Sequence, residues 1–191
     1  MKRIVIFASG NGSNAENLIT FFNTSSRASV VLVLTNNPMA KVLERAKRLK
    51  VSALSFNKMA LTETDNVLNI LKASRPDLIV LAGFLWKFPE KILNEFPNKV
   101  INIHPALLPK YGGKGMYGNY VHEAVVANKE SETGITIHYV NEHYDEGATI
   151  FQTKCSVNPE DSPEDVAQKI HELEMEHFPK VVESLLFPPD E

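Results

Sequence analysis

The chain has 191 residues, 43% of them hydrophobic and 23% charged, a balance that suits one well-buried core and excludes extensive disorder. Twenty Lys and Arg against 23 Asp and Glu leave a formal charge of -3, so the polycationic surface that duplex nucleic acid demands is absent and nucleic acid is not an expected partner. The single cysteine, Cys155, excludes an intramolecular disulfide, and no apolar run approaches membrane-spanning length, so no membrane partner is expected.

The N-terminus, Met1-Lys2-Arg3-Ile4-Val5-Ile6-Phe7-Ala8, has the basic pair and apolar run of a signal peptide. The run is too short and passes directly into Gly10-Asn11-Gly12, so it reads as a first strand of a cytoplasmic protein. Short β-branched runs then alternate with helical patterns. Strands are expected at 3–8, 30–35, 51–55, 78–82 and 100–104, with helices at 14–22, 40–49, 62–74 and 89–95. Each strand is a continuous apolar run, as parallel strands covered on both faces should be. After His104 the pattern changes. Four of the nine glycines fall between Pro109 and Gly118, which predicts a mobile loop. A helix at 120–128 follows, and strands at 134–140 and 149–157 flank Asp145-Glu146-Gly147 as an antiparallel hairpin. The last helix starts with Ser162 as N-cap, Pro163 and two acids, carries the stripe Val166, Ile170 and Leu173, and is expected to break or kink at Pro179 before 181–186. The whole is an α/β, Rossmann-like, mostly parallel sheet with helices on both faces, in one domain spanning 1–191.

The first strand runs into Ser9-Gly10-Asn11-Gly12-Ser13-Asn14-Ala15 and then into a helix. The N–H groups of Gly12, Ser13 and Asn14 at that helix start suit an anion such as a phosphate ester. The spacing is also the dinucleotide pattern G-x-G-x-x-A. That site needs an acid for the ribose after the second strand, where this chain reads Thr35-Asn36-Asn37. A phosphate site is therefore preferred to an NAD site or a plain tight turn.

In Val100-Ile101-Asn102-Ile103-His104-Pro105, alternation puts Asn102 and His104 on one face of the strand. A carboxamide donates hydrogen bonds to an oxyanion and an imidazole carries a proton near neutral pH, which together suit acyl transfer. Both lie at the carboxyl end of the fifth strand, on the sheet edge where the phosphate loop opens and α/β sheets bind ligands. Asp145 is the candidate to hold the imidazole, the alternative being an Asp that only forms its own turn. His138 faces the same cleft or is a satisfied core histidine. A zinc site of His104, His138 and Asp145 lacks any supporting ligand spacing, so no metal is expected. His122, His143, His171 and His177 are expected at the surface. Leu81-Ala82-Gly83-Phe84-Leu85-Trp86-Lys87-Phe88 leaves the fourth strand as a loop rich in apolar groups, fit to cover a flat ring system or merely the core.

With these residues in place, the chain resembles the phosphoribosylglycinamide formyltransferase family, the folate-dependent enzymes of de novo purine synthesis. The resemblance covers essentially the whole chain: Ser9 to Asn14, Leu81 to Phe84, Asn102-Ile103-His104-Pro105-Ala106-Leu107-Leu108-Pro109 and the Asp145 turn stand in the family's order and spacing. It implies a substrate phosphate at Gly12, Ser13 and Asn14, with Gly83, Pro105 and Glu174 lining the ribonucleotide site, Glu174 through the ribose hydroxyls. It implies a pterin against Leu85, Trp86, Lys87 and Phe88, largely through backbone groups, near the loop from Val140 to Asp145 and beside Asn102. It further implies 10-formyltetrahydrofolate as co-substrate, its formyl group passing to the amine of N1-(5-phospho-β-D-ribosyl)glycinamide in the third step toward IMP, with no metal. Asn102 and a protonated His104 would then hold the oxyanion, and Asp145 would raise the pKa of His104 so that it protonates the departing folate nitrogen.

Two departures from the family pattern stand out. The loop at 111–120 is more glycine-rich and differently spaced, so no binding residue is carried onto it, and Trp86-Lys87 replaces a common Arg-aliphatic pair. Methionyl-tRNA formyltransferase and formyltetrahydrofolate hydrolase are the nearest alternatives, but each carries an additional domain that a chain of this length leaves no room for. A non-catalytic nucleotide-binding module is the alternative from another class. The expected assembly is a monomer or homodimer acting on small molecules.

Overall fold

The computed structural model describes residues 1–188. Strands β1 (Lys2–Phe7), β2 (Ala28–Thr35), β3 (Ser52–Ser55), β4 (Leu78–Leu81) and β5 (Val100–His104) are parallel, and β6 (Glu132–Tyr139) and β7 (Thr149–Ser156) continue the sheet antiparallel. The order is β3-β2-β1-β4-β5-β6-β7. The chain first adds strands on one side of β1 and then crosses to the other. The crevice between the carboxyl ends of β1 and β4 is thus a topological switch point.

Alternation along each strand divides the core into two layers. Ile4, Ile6, Val80, Ile101, Ile103, Ile135 and Ile137 face α1 (Ser13–Asn23), α2 (Lys41–Arg48), α6 (Asn119–Ala127) and α7 (Pro163–Leu186). Val5, Phe7, Ile79, Leu81 and Val100 face α3 (Lys58–Thr62), α4 (Asn66–Ser74) and α5 (Glu90–Glu95). Each fully buried Ile, Leu or Phe in these layers contributes about 1.5–3 kcal/mol. Asn102 and His104 share the Val100 face, and their strand meets β6 with Asn102 opposite His138 and His104 opposite Thr136. Among the described residues no helix is long and apolar enough to cross a membrane.

Three local expectations need correction. The helix expected at 62–74 is two helices, α3 and α4. Asn57 Oδ1 caps α3 by accepting the Ala60 N–H at 2.9 Å, and the carbonyl of Thr64 between the helices is taken by the Lys91 ammonium. Strand β3 is not covered on both faces: it is the sheet edge, and Leu54 is 48% exposed. Helix α7 does not end at Pro179. The carbonyl that a proline leaves without its N–H partner is that of Met175, and it accepts Asn17 Nδ2 at 2.9 Å, so the defect becomes a tie between α7 and α1. The start of α7 is as read, with reciprocal Ser162–Asp165 capping hydrogen bonds.

Candidate active site

The loop after β1 is shaped by α2. Gly12 has φ +75°, and a Cβ on it would stand 2.4 Å from Val42 Cγ2, so only glycine lets α2 pack against this turn. Arg45, also from α2, holds Asn11 twice, through Nε to the carbonyl at 2.8 Å and Nη2 to Oδ1 at 2.9 Å. Its charge is met by Glu16, whose carboxyl is held below its ordinary value by Arg48 and Arg45. Gly12 caps α1 without a side chain, which leaves the helix-start amides to a ligand. Asn14 turns inward. Its Nδ2 donates to Glu174 Oε2 at 2.8 Å, while its buried Oδ1 has no partner among the described residues.

The loop after β4 is tied to the same turn, the Ser9 N–H donating to Gly83 O at 3.0 Å and the Leu85 N–H to Ser9 Oγ at 3.0 Å. Phe7 meets Phe84 and Phe88 edge to face at 5.3 and 5.1 Å, so this loop is a fixed apolar wall. Phe84 and Leu85 line the cavity. Trp86, Lys87 and Phe88 are not among its lining residues, and Phe88 is 3% exposed within the core. Tyr144 does line the cavity, and burial pushes its hydroxyl pKa up against the opposing pull of the Lys87 backbone.

Four polar side chains converge at the ends of β5 and β6. His138 Nδ1 donates to its neighbour's carbonyl, Tyr139 O, at 2.9 Å, which fixes the tautomer and leaves Nε2 to accept Asn102 Nδ2 at 3.1 Å. The second amide hydrogen of Asn102 is only loosely engaged, with Asp145 Oδ1 3.5 Å from Nδ2. Asp145 adopts φ +57°, accepts the Gly113 N–H at 2.9 Å, and stands 3.6 Å from His104 Nδ1 and 3.6 Å from His138 Nε2. Its turn fits against β6 because residue 147 is glycine: a Cβ there would lie 1.6 Å from Tyr139 O. His104 Nε2 donates to Tyr111 O at 2.7 Å, leaving Nδ1 facing Asp145 without a proton.

Burial works against the Asp145 charge, the Gly113 N–H favours it, and His138 and His104 at 3.6 Å favour it whenever either ring is protonated, so that the carboxyl is held below its ordinary value. For His104 the balance falls the other way. Burial pushes its pKa below the ordinary value despite the upward pull of Asp145, so the expected net rise does not occur and the resting imidazole is neutral at pH 7.

A cavity of about 750 Å³ joins these parts: the turn 9–14, Gly83 to Leu85, Asn102 to Pro105, Asp145 and Glu174 all line it. Burial pushes the Glu174 carboxyl up to about 7 against the hydrogen bond from Asn14. The cavity also reaches residues that the sequence reading placed at the surface. His122 is 6% exposed and its Nδ1 has no partner among the described residues, because it occupies the inward face of α6 with Val121 and Val125. That i, i+1, i+4 apolar spacing is the signal that marks it as inward. His171 lines the cavity from α7, whereas His143 is exposed. Residues 113–118 line it too, although no role was assigned to that loop.

The formyl transferase family model matches residues 2–182. The phosphoribosylglycinamide formyltransferase of Bacillus subtilis is 35% identical over 193 residues, covering 97% of this chain and 95% of that protein. The chloroplastic enzyme of that name from Arabidopsis thaliana is 35% identical over 187 residues, and the chain spans 95% of its own length but 64% of the Arabidopsis protein. Among solved structures, glycinamide ribonucleotide transformylase 1 from Geobacillus kaustophilus superposes with a TM-score of 0.87 at 34% identity, covering 97% of this chain and 99% of that one. Matching in length, fold and sequence from the first strand into the last helix, the chain belongs to the formyl transferase family and, within it, to the phosphoribosylglycinamide formyltransferases.

Proposed function

We propose that the protein transfers the formyl group of 10-formyltetrahydrofolate to the amine of N1-(5-phospho-β-D-ribosyl)glycinamide, as a monomer or homodimer in the cytoplasm. The observation that carries this reading is the placement of Asn102, His104 and Asp145 around one point of a cavity whose other wall is the amide-rich turn at Gly12, Ser13 and Asn14. Those amides suit the substrate phosphate, and Glu174, sharing its hydrogen bond with Asn14, suits the ribose hydroxyls beside Gly83 and Pro105. Phe84, Leu85 and Tyr144 form the apolar end for the pterin, with the backbone of Lys87 just behind.

Formyl transfer needs an oxyanion held and one proton moved. As the substrate amine bonds to the formyl carbon, the loosely held amide hydrogen of Asn102 meets the oxygen that becomes negative. His104, neutral at rest, takes at Nδ1 the proton the amine sheds and returns it to the folate nitrogen as its bond to the formyl carbon breaks. Asp145 stabilises the transient imidazolium, and the Tyr111 carbonyl fixes the ring by holding the Nε2 proton. His138 holds Asn102 in place.

The test is to supply glycinamide ribonucleotide and 10-formyltetrahydrofolate and follow tetrahydrofolate release. Release that requires both substrates is the expected result. Release without the ribonucleotide would identify a hydrolase, and ligand binding without turnover would identify a binding module.

A further inference from the structure

Besides two carboxylates, Asp145 and Glu174, the cavity lining contains a single Lys or Arg among the described residues, Lys114. Lys114 is exposed and takes part in none of the ion pairs found among the described residues. It stands on an arm of defined construction. The base of the arm is anchored to the reacting end of the cavity, where Tyr111 O accepts from His104 Nε2 and the Gly113 N–H donates to Asp145 Oδ2. On either side of Lys114, Gly113 and Gly115 have φ +90° and +91° with open space where a Cβ would stand, and the Met116 N–H closes the turn on Gly113 O at 3.1 Å, so the lysine stands at the tip of a tight turn from which its long side chain extends.

A phosphate monoester carries close to two negative charges at pH 7. Amides at a helix start provide only partial charge, and Glu174 and Asp145 work against an anion. On the reading that the substrate is a ribonucleotide, we propose that Lys114 is a further substrate-binding residue, which reaches from the glycine arm to the phosphate and supplies an unpaired positive charge from the cavity side, the Arg45 guanidinium bonded to Asn11 being already met by Glu16. This also accounts for a loop that is glycine-rich on both sides of one lysine: the base must hold to the catalytic pair while the cation follows the phosphate. The folate tail, a carboxylate, offers the same chemistry from the other substrate, and the experiment separates the two.

The enzyme and its Lys114→Ala and Lys114→Arg variants are assayed with glycinamide ribonucleotide and with the dephosphorylated riboside, each at saturating 10-formyltetrahydrofolate, and again with the folate varied and mono- or polyglutamylated. The ratio of kcat/KM for ribonucleotide to that for riboside measures what the phosphate contributes. The ratio is expected to fall about 10- to 100-fold in Lys114→Ala, through KM rather than kcat, and to recover in large part in Lys114→Arg. An unchanged ratio overturns the proposal, as does a loss confined to the KM of the polyglutamylated folate, which would place Lys114 on the carboxylate tail. Failure of the functional reading itself is distinct, because the unmodified enzyme would then not turn over the ribonucleotide.

Discussion

Glu174→Gln should make the ligand-free protein more stable while making it a poorer enzyme. The carboxyl sits against Asn14 with its pKa pushed from 4.5 to about 7, so its charged form is disfavoured by about 3 kcal/mol in the folded state. Because the group also faces the cavity, roughly half of that, about 1–2 kcal/mol, is the realistic gain on removing the charge. The amide of Gln retains an acceptor for Asn14 Nδ2 and adds a donor for Asn14 Oδ1, the buried atom without a partner among the described residues. With a folded-state pKa above the unfolded one, the wild type binds its extra proton between pH 4.5 and 7, and its stability falls as pH rises through that window. The advantage of Gln is therefore full above pH 7 and fades toward pH 4.5. For a chain of this length, Tm should rise by about 3–6 °C at pH 8 and by little at pH 5, read by calorimetry without ligand. The KM for ribonucleotide should rise at the same time, since an amide is a weaker acceptor for ribose hydroxyls. A variant that melts lower at pH 8, or gains the same amount at both pH values, would refute the argument that Glu174 is held at a cost for its ligand.

Further outcomes follow from the same geometry. His104→Ala and Asp145→Asn should each lower kcat about 10²- to 10⁴-fold while ribonucleotide affinity, measured by calorimetry, stays within a few fold; kcat unchanged in both would remove them from the mechanism. Because burial lowers the pKa of His104 and the neutral ring is the proton acceptor, kcat at saturating ribonucleotide, which sets aside the binding effect of Glu174, should hold level above pH 7 and decline as acid protonates the ring, with the midpoint below the ordinary histidine value. A profile that instead declines as pH rises through that range would mean the imidazolium is the resting form. Gly12→Ala forces a methyl to 2.4 Å from Val42 Cγ2 in a left-handed turn, and should cost about 2–3 kcal/mol in denaturant unfolding as well as ribonucleotide binding; full stability with full affinity would show that the turn relaxes freely.

Much of this site is legible in the sequence because strands are periodic. The alternation in Val100 to His104 fixes that Asn102 and His104 share a face, and the βα order fixes which sheet edge they reach, so the pairing with the turn at 9–14 follows without coordinates. What escapes the sequence is set by contacts distant in the chain. The sign of the His104 shift depends on burial contributed by several elements at once, and sequence reading could see only the charge of Asp145. Trp86, Lys87 and Phe88 lie in the right loop, but the edge-to-face stack that Phe7 and Phe84 make with Phe88 turns that ring into the core and leaves Phe84 and Leu85 to form the wall. Pro179 breaks a helix by local rules, yet Asn17, from a helix some 160 residues earlier, takes up the carbonyl it strands. The loop at 111–118 is the sharpest case. Its glycines signal freedom, while the bonds from Tyr111 to His104, from Gly113 to Asp145 and from Met116 to Gly113 hold it as an anchored turn. That turn carries Lys114 at its tip on the cavity wall, which makes the loop part of the site instead of a cover over it.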